Sequence, residues 1–137
     1  MAVAKWATPS ARGSNIASTN LNSLANGSES TAVTYDNSTN RDLYGIITIK
    51  LGSITPATAG AIAVRITLND GTDTSDRAAG DVYIAELNSG ASAKVVMIPM
   101  VRLYPFSMRI SVRNNSGVAF AASGNELYVR PYNEDVT

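Results

Sequence analysis

Short stretches in which large apolar and polar side chains alternate are the feature that most limits how this chain can fold. In AIAVRITLN, residues 61–69, every second side chain is a large aliphatic one. FSMRISVRN, residues 106–114, and ELYVRPY, residues 126–132, repeat the pattern. A period of two is that of a β-strand buried on one face. The predicted inward-facing side chains are Ile62, Val64, Ile66, Leu68, Met108, Ile110, Val112, Leu127 and Val129.

Four further stretches also predict strands. RDLYGIITIKL, residues 41–51, is largely apolar on both faces, which is typical of a central strand that is covered on both sides. DVYIAEL, residues 81–87, and AKVVMIPMV, residues 93–101, are clear strands, and TAVTY, residues 31–35, is a weaker first strand. The sequence therefore predicts seven or eight short strands.

Turn residues fall where these strands should end. Asn, Asp and Gly tolerate the backbone conformations of tight turns, and they cluster at residues 69–71, 88–90, 114–117 and 123–125. Strands at this spacing, without a convincing long helix between them, predict an all-β protein built as an antiparallel β-sandwich. A jelly-roll-like topology is one option for connecting the strands.

The first residues of the chain have a different character. Residues 1–29 are rich in small polar residues and are interrupted by proline and glycine, so we interpret them as an extended N-terminal arm. Residues 30–137 then form the β-sandwich domain. Trp6 is a large aromatic residue in this polar arm. It is either an anchor for a partner surface or a residue that packs back on its own domain.

Composition excludes several classes of function. The formal net charge is zero, so the basic excess of a nucleic-acid-binding protein is missing, and we expect no direct nucleic-acid partner. No apolar run is long enough to span a membrane, and the N-terminus does not resemble a signal peptide, so we expect a cytoplasmic product. Cys and His are both absent, which removes thiolate and imidazole chemistry and disulfides.

The remaining residues contain no recognisable catalytic or cofactor-binding motif, so we predict a protein that is not an enzyme and uses no cofactor or metal. Asp70, Asp73 and Asp76 could offer oxygen ligands to Ca²⁺, but the spacing is not that of an EF-hand, and a solvated turn is favoured. Three Asn-x-Ser/Thr stretches, which begin at residues 26, 37 and 114, are better explained by chance in an Asn-rich chain.

Four arginines are candidate partner-binding residues. Each lies on the predicted outer face of a strand, and they would form a basic stripe if the strands are neighbours. Such a stripe could meet an acidic partner, although ordinary solvated arginines are favoured for any single position. With Trp6, the candidate partner-binding residues are Arg65, Arg109, Arg113 and Arg130.

Several motifs resemble those of a family of small virion structural proteins of tailed bacteriophages. The similar segments are LNSLANG at residues 21–27, DNSTNRDLY at residues 36–44, RNNSG at residues 113–117 and ASGNEL at residues 122–127. The resemblance covers both ends of the predicted domain, and residues 55–105 carry little of it.

The resemblance implies a capsid cement, or decoration, protein with a jelly-roll-like sandwich. Such a protein binds the outer face of the major capsid protein shell and stabilises the head of the virion. It implies the major capsid protein and other copies of the chain, as a dimer or trimer, as partners. It also implies assembly in the host bacterial cytoplasm, and it carries over no catalytic residue.

Two other functions stay open. A phage tail or fibre component would share the composition and the absence of catalytic motifs. A carbohydrate-binding β-sandwich module would need several exposed aromatic side chains together, for which Tyr104, Tyr128 and Tyr132 are candidates.

Overall fold

The computed structural model describes residues 2–75 and 81–136, and these residues contain nine β-strands and no helix. About half of the chain is in strands. In chain order the strands are β1 (Ala4–Trp6), β2 (Val33–Asp36), β3 (Tyr44–Ile54), β4 (Ala61–Thr67), β5 (Asp81–Glu86), β6 (Ser92–Arg102), β7 (Ser107–Asn115), β8 (Glu126–Tyr132) and β9 (Glu134–Val136).

Two sheets share one hydrophobic core. The first has the order β2-β7-β4-β5 and the second has the order β6-β3-β8, and every pair of neighbouring strands is antiparallel. Inward-facing aliphatic side chains of both sheets belong to a single buried cluster. A short third sheet pairs β1 with β9. The predicted all-β, antiparallel class is confirmed.

The strand patterns are also confirmed. Ile62, Val64 and Ile66 of β4 are fully buried, and so are Met108, Ile110 and Val112 of β7. β3 lies between β6 and β8, as predicted for a strand that is apolar on both faces. Alternation therefore located the core correctly, because one face of each strand must be withdrawn from water.

The connections cross repeatedly from one sheet to the other. β2 lies in the first sheet, β3 in the second, β4 and β5 in the first, and β6, β7 and β8 then alternate. Backbone hydrogen bonds also place residues 7–16 alongside β8, from Ala7 N to Asn133 O and from Ile16 N to Leu127 O, both 2.9 Å. This winding favours the jelly-roll topology, which remains a prediction.

The predicted arm, residues 1–29, differs from the structure in its second half. Ala17 and Leu21 are only 1% exposed and belong to the core, and Ile16 and Leu24 pack against it. We call residues 15–28 the inner segment and residues 2–14 the outer segment. The irregular spacing of the apolar residues concealed this packing, because turns rather than a strand or helix bring them to the core.

Buried asparagines fix the turns that join these parts. Asn114 is fully buried, and its Nδ2 donates to Leu24 O and Val118 O, both at 2.8 Å, while its Oδ1 accepts from Ser116 N. At the same turn Gly117 has φ +90°, and a Cβ there would lie 2.5 Å from the Cβ of Ala57. This turn therefore requires both residues.

Asn37 and Asn125 are also buried, and their side chains likewise bond to distant parts of the chain. Asn37 Nδ2 donates to Asp42 O and Tyr104 O, and Asn125 Nδ2 donates to Asn22 Oδ1 and Ala121 O. These amides and Asn114 lie in three of the four asparagine-containing motifs described in the sequence, and Asn22 lies in the fourth. The motifs therefore specify buried hydrogen bonds of the fold.

The loop after β4 is organised as a hydrogen-bonded turn. Asp70 Oδ1 accepts from Thr72 N at 2.9 Å and from Asp73 N at 2.8 Å. These backbone hydrogen bonds, that of Asp73 most strongly, lower the pKa of Asp70. Asp76, the third carboxylate considered for Ca²⁺, lies outside the described residues.

Candidate protein-binding surface

Three aromatic rings meet where the two ends of the chain come together. The antiparallel pairing of β1 with β9 places Trp6 opposite Glu134, and the pairing of β3 with β8 places Tyr44 opposite Tyr132. The ring centroid of Trp6 lies 6.2 Å from that of Tyr44 and 5.4 Å from that of Tyr132, both edge-to-face. The two tyrosine rings stack at 5.5 Å. We call these three residues the aromatic cluster.

Hydrogen bonds fix the orientation of the two tyrosines. Tyr132 Oη donates to Pro99 O at 3.0 Å, and Tyr44 Oη donates to Glu134 Oε1 at 3.4 Å. Desolvation, and to a lesser degree the neighbouring Tyr44, raises the pKa of Tyr132. The Tyr132 phenol therefore stays a protonated donor at neutral pH, and the two hydrogen bonds hold the tyrosine rings of the cluster in place.

Trp6 combines the two roles that the sequence left open. It packs on its own domain through the aromatic cluster, yet 55% of the residue is exposed to solvent. An aromatic ring held in place while much of its surface stays in water is suited to anchoring a partner, since little side-chain entropy remains to be lost.

A groove of about 570 Å³ runs beside the aromatic cluster. Its walls come from the outer segment, β3, the proline-containing part of β6, and β8. Arg130 supplies the charged group at its side, and its Nε donates to Ser10 O at 2.9 Å, which ties the outer segment to β8. The groove is lined by Trp6, Ala7, Pro9, Ile46, Pro99, Met100, Arg130 and Tyr132.

Exposed apolar side chains continue from this groove along β6. Val95, Met97 and Met100 are each more than half exposed, and we call them the β6 patch. β6 is an edge strand of its sheet. Edge strands offer unpaired backbone groups, so an apolar edge is a common place for another chain to bind. Val82 and Ile84 form a second exposed apolar pair on β5, an edge strand of the other sheet.

The outer segment makes a second contact with the sheet through Arg12. Its guanidinium carbon lies 3.8 Å from the ring centroid of Tyr128, a cation–π contact. Tyr128 Oη donates to Glu126 Oε2 at 2.6 Å, and this hydrogen bond is the main cause of its raised pKa. The ring of Tyr128 is therefore covered by the chain itself.

The four predicted arginines do not form one stripe. Arg65, Arg109 and Arg113 share one face of the first sheet, where Arg65 on β4 lies opposite Ser111 of β7, between the two others. Arg130 lies on β8 in the second sheet, beside Trp6. Sequence periodicity gives the face of each residue within its strand, but it cannot say which strands share a sheet.

Two of the three grouped arginines already have partners within the chain. Arg65 Nε lies 3.9 Å from Glu29 Oε2, and Ser111 Oγ donates to Glu29 Oε1 at 2.6 Å. Arg113 Nε donates to Asn115 Oδ1 at 3.4 Å. A partner of this face would therefore compete with internal contacts, which makes it a weaker candidate than the surface around Trp6.

The partners of Trp6 and the β6 patch were not predicted from the sequence. Tyr44 and Tyr132 are 88 residues apart and meet only through strand pairing. A signal for the β6 patch was present, because AKVVMIPMV is apolar on both faces although its proline suits an edge strand. An edge strand with two apolar faces predicts a partner for the outer one.

Within residues 2–75 and 81–136, no group of acidic side chains is arranged to hold a metal ion, and no helix is long and apolar enough to cross a membrane. No known protein family, curated protein or solved structure matches this chain.

Proposed function

We propose that this protein is a capsid cement protein of a tailed bacteriophage, which binds the outer face of the major capsid protein shell and stabilises the head. The observation that carries the proposal is the continuous exposed surface made by Trp6, the adjoining groove and the β6 patch. The resemblance of the four asparagine-containing motifs to phage virion proteins gives the class of partner.

The chemistry of this surface suits binding to a protein. Tryptophan, tyrosine and arginine dominate the binding energy of protein interfaces, and Trp6, Tyr132 and Arg130 lie together here. Asparagine, serine and threonine are abundant in the surrounding chain, so the rim can form hydrogen bonds without charge. A clamp of this kind adds contacts between shell subunits and needs no catalytic group.

The proposed function also implies where the protein is made and where it ends. The protein would be made in the host cytoplasm, would associate with itself as a dimer or trimer, and would end on the capsid exterior. It would act neither as an enzyme nor on nucleic acid. Stabilisation would come from mass action, since a ligand that binds the assembled shell favours that state over its dissociated subunits.

Reconstitution on shells tests the proposal. Purified protein is added to expanded shells that lack it, and binding stoichiometry and the temperature of shell disruption are measured. We expect saturable binding in a fixed ratio to the major capsid protein and a higher disruption temperature. Failure to bind, together with equal heat stability of virions with and without the protein, would overturn it. Immunolabelling of virions would separate head from tail.

The aromatic groove also favours a second candidate, a carbohydrate-binding module. Trp6 and Tyr132 present aromatic surface beside Arg130, and stacking on such rings together with a polar donor is a common way to bind a sugar. A glycan array probed with the wild-type chain and with Trp6→Ala separates the two. Binding to a glycan that Trp6→Ala abolishes would support the module and count against the cement protein.

A further inference from the structure

The outer segment is held to the rest of the molecule almost entirely from outside the core. All of residues 2–14 are exposed except Ala7, which is half-buried, and the buried core begins at Ala17. Its attachments are the β1–β9 pairing, the hydrogen bonds of Ala7 and Ser10 to the β8–β9 edge, and the contacts of Trp6 and Arg12. Detaching it would therefore expose little of the core.

The charges of the outer segment and of β9 are complementary. The outer segment contains Lys5 and Arg12 and no acidic residue, whereas β9 contains Glu134 and Asp135. The register of β1 with β9 places Lys5 opposite Asp135. Opposite charges across an antiparallel pair stabilise it, and like charges destabilise it. The acidic edge thus complements a segment with the charge and length of this chain's own N-terminus.

We propose that the outer segment of one copy docks on the β8–β9 edge of a second copy, so that copies are joined by exchanged N-terminal segments. Every contact described above is reproduced between chains, because both copies carry the same segment and the same edge. Exchange of an identical element is a low-cost route to an oligomer. The connection can reorient at Gly13, an exposed glycine near the end of the outer segment.

Concentration decides which arrangement is populated. A segment tethered to its own edge has an effective concentration in the millimolar range, so dilute protein keeps the closed form. Exchange becomes favourable when a neighbouring edge is present at a similar concentration, as it is in concentrated solution or on any surface that gathers copies. The exchange requires no capsid, so it can be tested apart from the proposed function.

Cysteine pairing tests the exchange directly, because the natural chain contains no cysteine. The variants Lys5→Cys and Asp135→Cys are mixed in equal amounts at about 1 mM, the concentration at which exchange competes with tethering. One variant carries a tag that changes its mass. After mild oxidation, non-reducing gel electrophoresis separates the mixed dimer from the two dimers of identical chains.

We expect the mixed dimer to exceed both others, since only residues 5 and 135 face each other across the docked pair. The control mixes Lys5→Cys with Ser89→Cys, an exposed position in the loop between β5 and β6. The double variant Lys5→Cys/Asp135→Cys at micromolar concentration should form the link within one chain. A mixed dimer no more abundant than in the control would overturn the exchange, and so would failure of the dilute double variant to link.

Discussion

The outer and inner segments of the N-terminus have similar small-residue composition, but only one of them belongs to the core. Residues 2–14 are exposed except for Ala7, whereas residues 15–28 place Ala17 and Leu21 among the most buried side chains of the molecule. Composition alone therefore does not separate a detachable segment from a structural one. The difference lies in a few residues with specific partners.

Two kinds of residue distinguish the inner segment. Its aliphatic side chains enter the core, and its asparagines bond to distant strands and turns. Asn15 Oδ1 accepts from Leu127 N, Asn22 Oδ1 accepts from Asn125 Nδ2, and Asn26 Oδ1 accepts from Gly117 N. The outer segment contains no asparagine and no leucine or isoleucine. The inner segment is therefore fixed by partners that the outer segment lacks.

The largest expected effect on stability comes from truncating a core side chain of the inner segment. Leu21→Ala should lower the free energy of unfolding by about 2–5 kcal/mol, because it removes buried surface and leaves a cavity. Val3→Ala, in the exposed outer segment, is the matched control and should change it by about 0.5 kcal/mol or less. Urea denaturation measures both. Equal effects would show that the two segments do not differ as described.

The buried asparagines give a second test of the inner segment. Asn114→Ala should destabilise the protein by about 2–3 kcal/mol, because the carbonyls of Leu24 and Val118 lose their donor. Its neighbour Asn115 is exposed, and Asn115→Ala should cost about 0.5 kcal/mol or less. Thermal unfolding followed by circular dichroism compares the two. If Asn114→Ala were as stable as Asn115→Ala, the buried hydrogen bonds of Asn114 would not be needed for the fold.

Substitution of Trp6 tests how much the outer segment contributes to stability. Trp6→Ala should lower the stability of the isolated protein by only about 1 kcal/mol, since the ring is more than half exposed and its losses are edge-to-face aromatic contacts. Trp6→Phe, which keeps an aromatic ring, should lose less. Urea denaturation of both variants, followed by circular dichroism, gives the values. A loss comparable to that of Leu21→Ala would place Trp6 in the core.

The smallest effect concerns two exposed carboxylates. The pKa of Asp36 is lowered mainly by a hydrogen bond from the Ser38 side chain, and the pKa of Asp70 mainly by one from the backbone of Asp73. Each pKa therefore lies below the unfolded value of about 4. Their contribution is present above that pH and is lost as pH falls through the lower, folded pKa. Asp36→Asn/Asp70→Asn keeps acceptor oxygens but cannot titrate. Its unfolding temperature should therefore fall less steeply in acid than that of the wild type, and parallel curves would contradict this.

The sequence predicted what depends on local periodicity. Every strand that was predicted from alternation is present, and β3 has its predicted central position. It did not predict what depends on pairing between distant strands. The aromatic cluster needs the β3–β8 and β1–β9 registers, and the separation of Arg130 from the other arginines needs the division into sheets. The inner segment was missed because turns have no period.

Co-sedimentation with expanded phage shells tests most directly the claim that the surface around Trp6 holds the capsid. The wild-type chain is compared with Trp6→Ala and with Phe106→Ala, an exposed aromatic residue in the loop between β6 and β7. We expect Trp6→Ala to bind at least about tenfold more weakly, as is typical of loss of an interface anchor, and Phe106→Ala to bind like the wild type. Equal binding of Trp6→Ala and the wild type, or no binding by the wild type, would contradict the account.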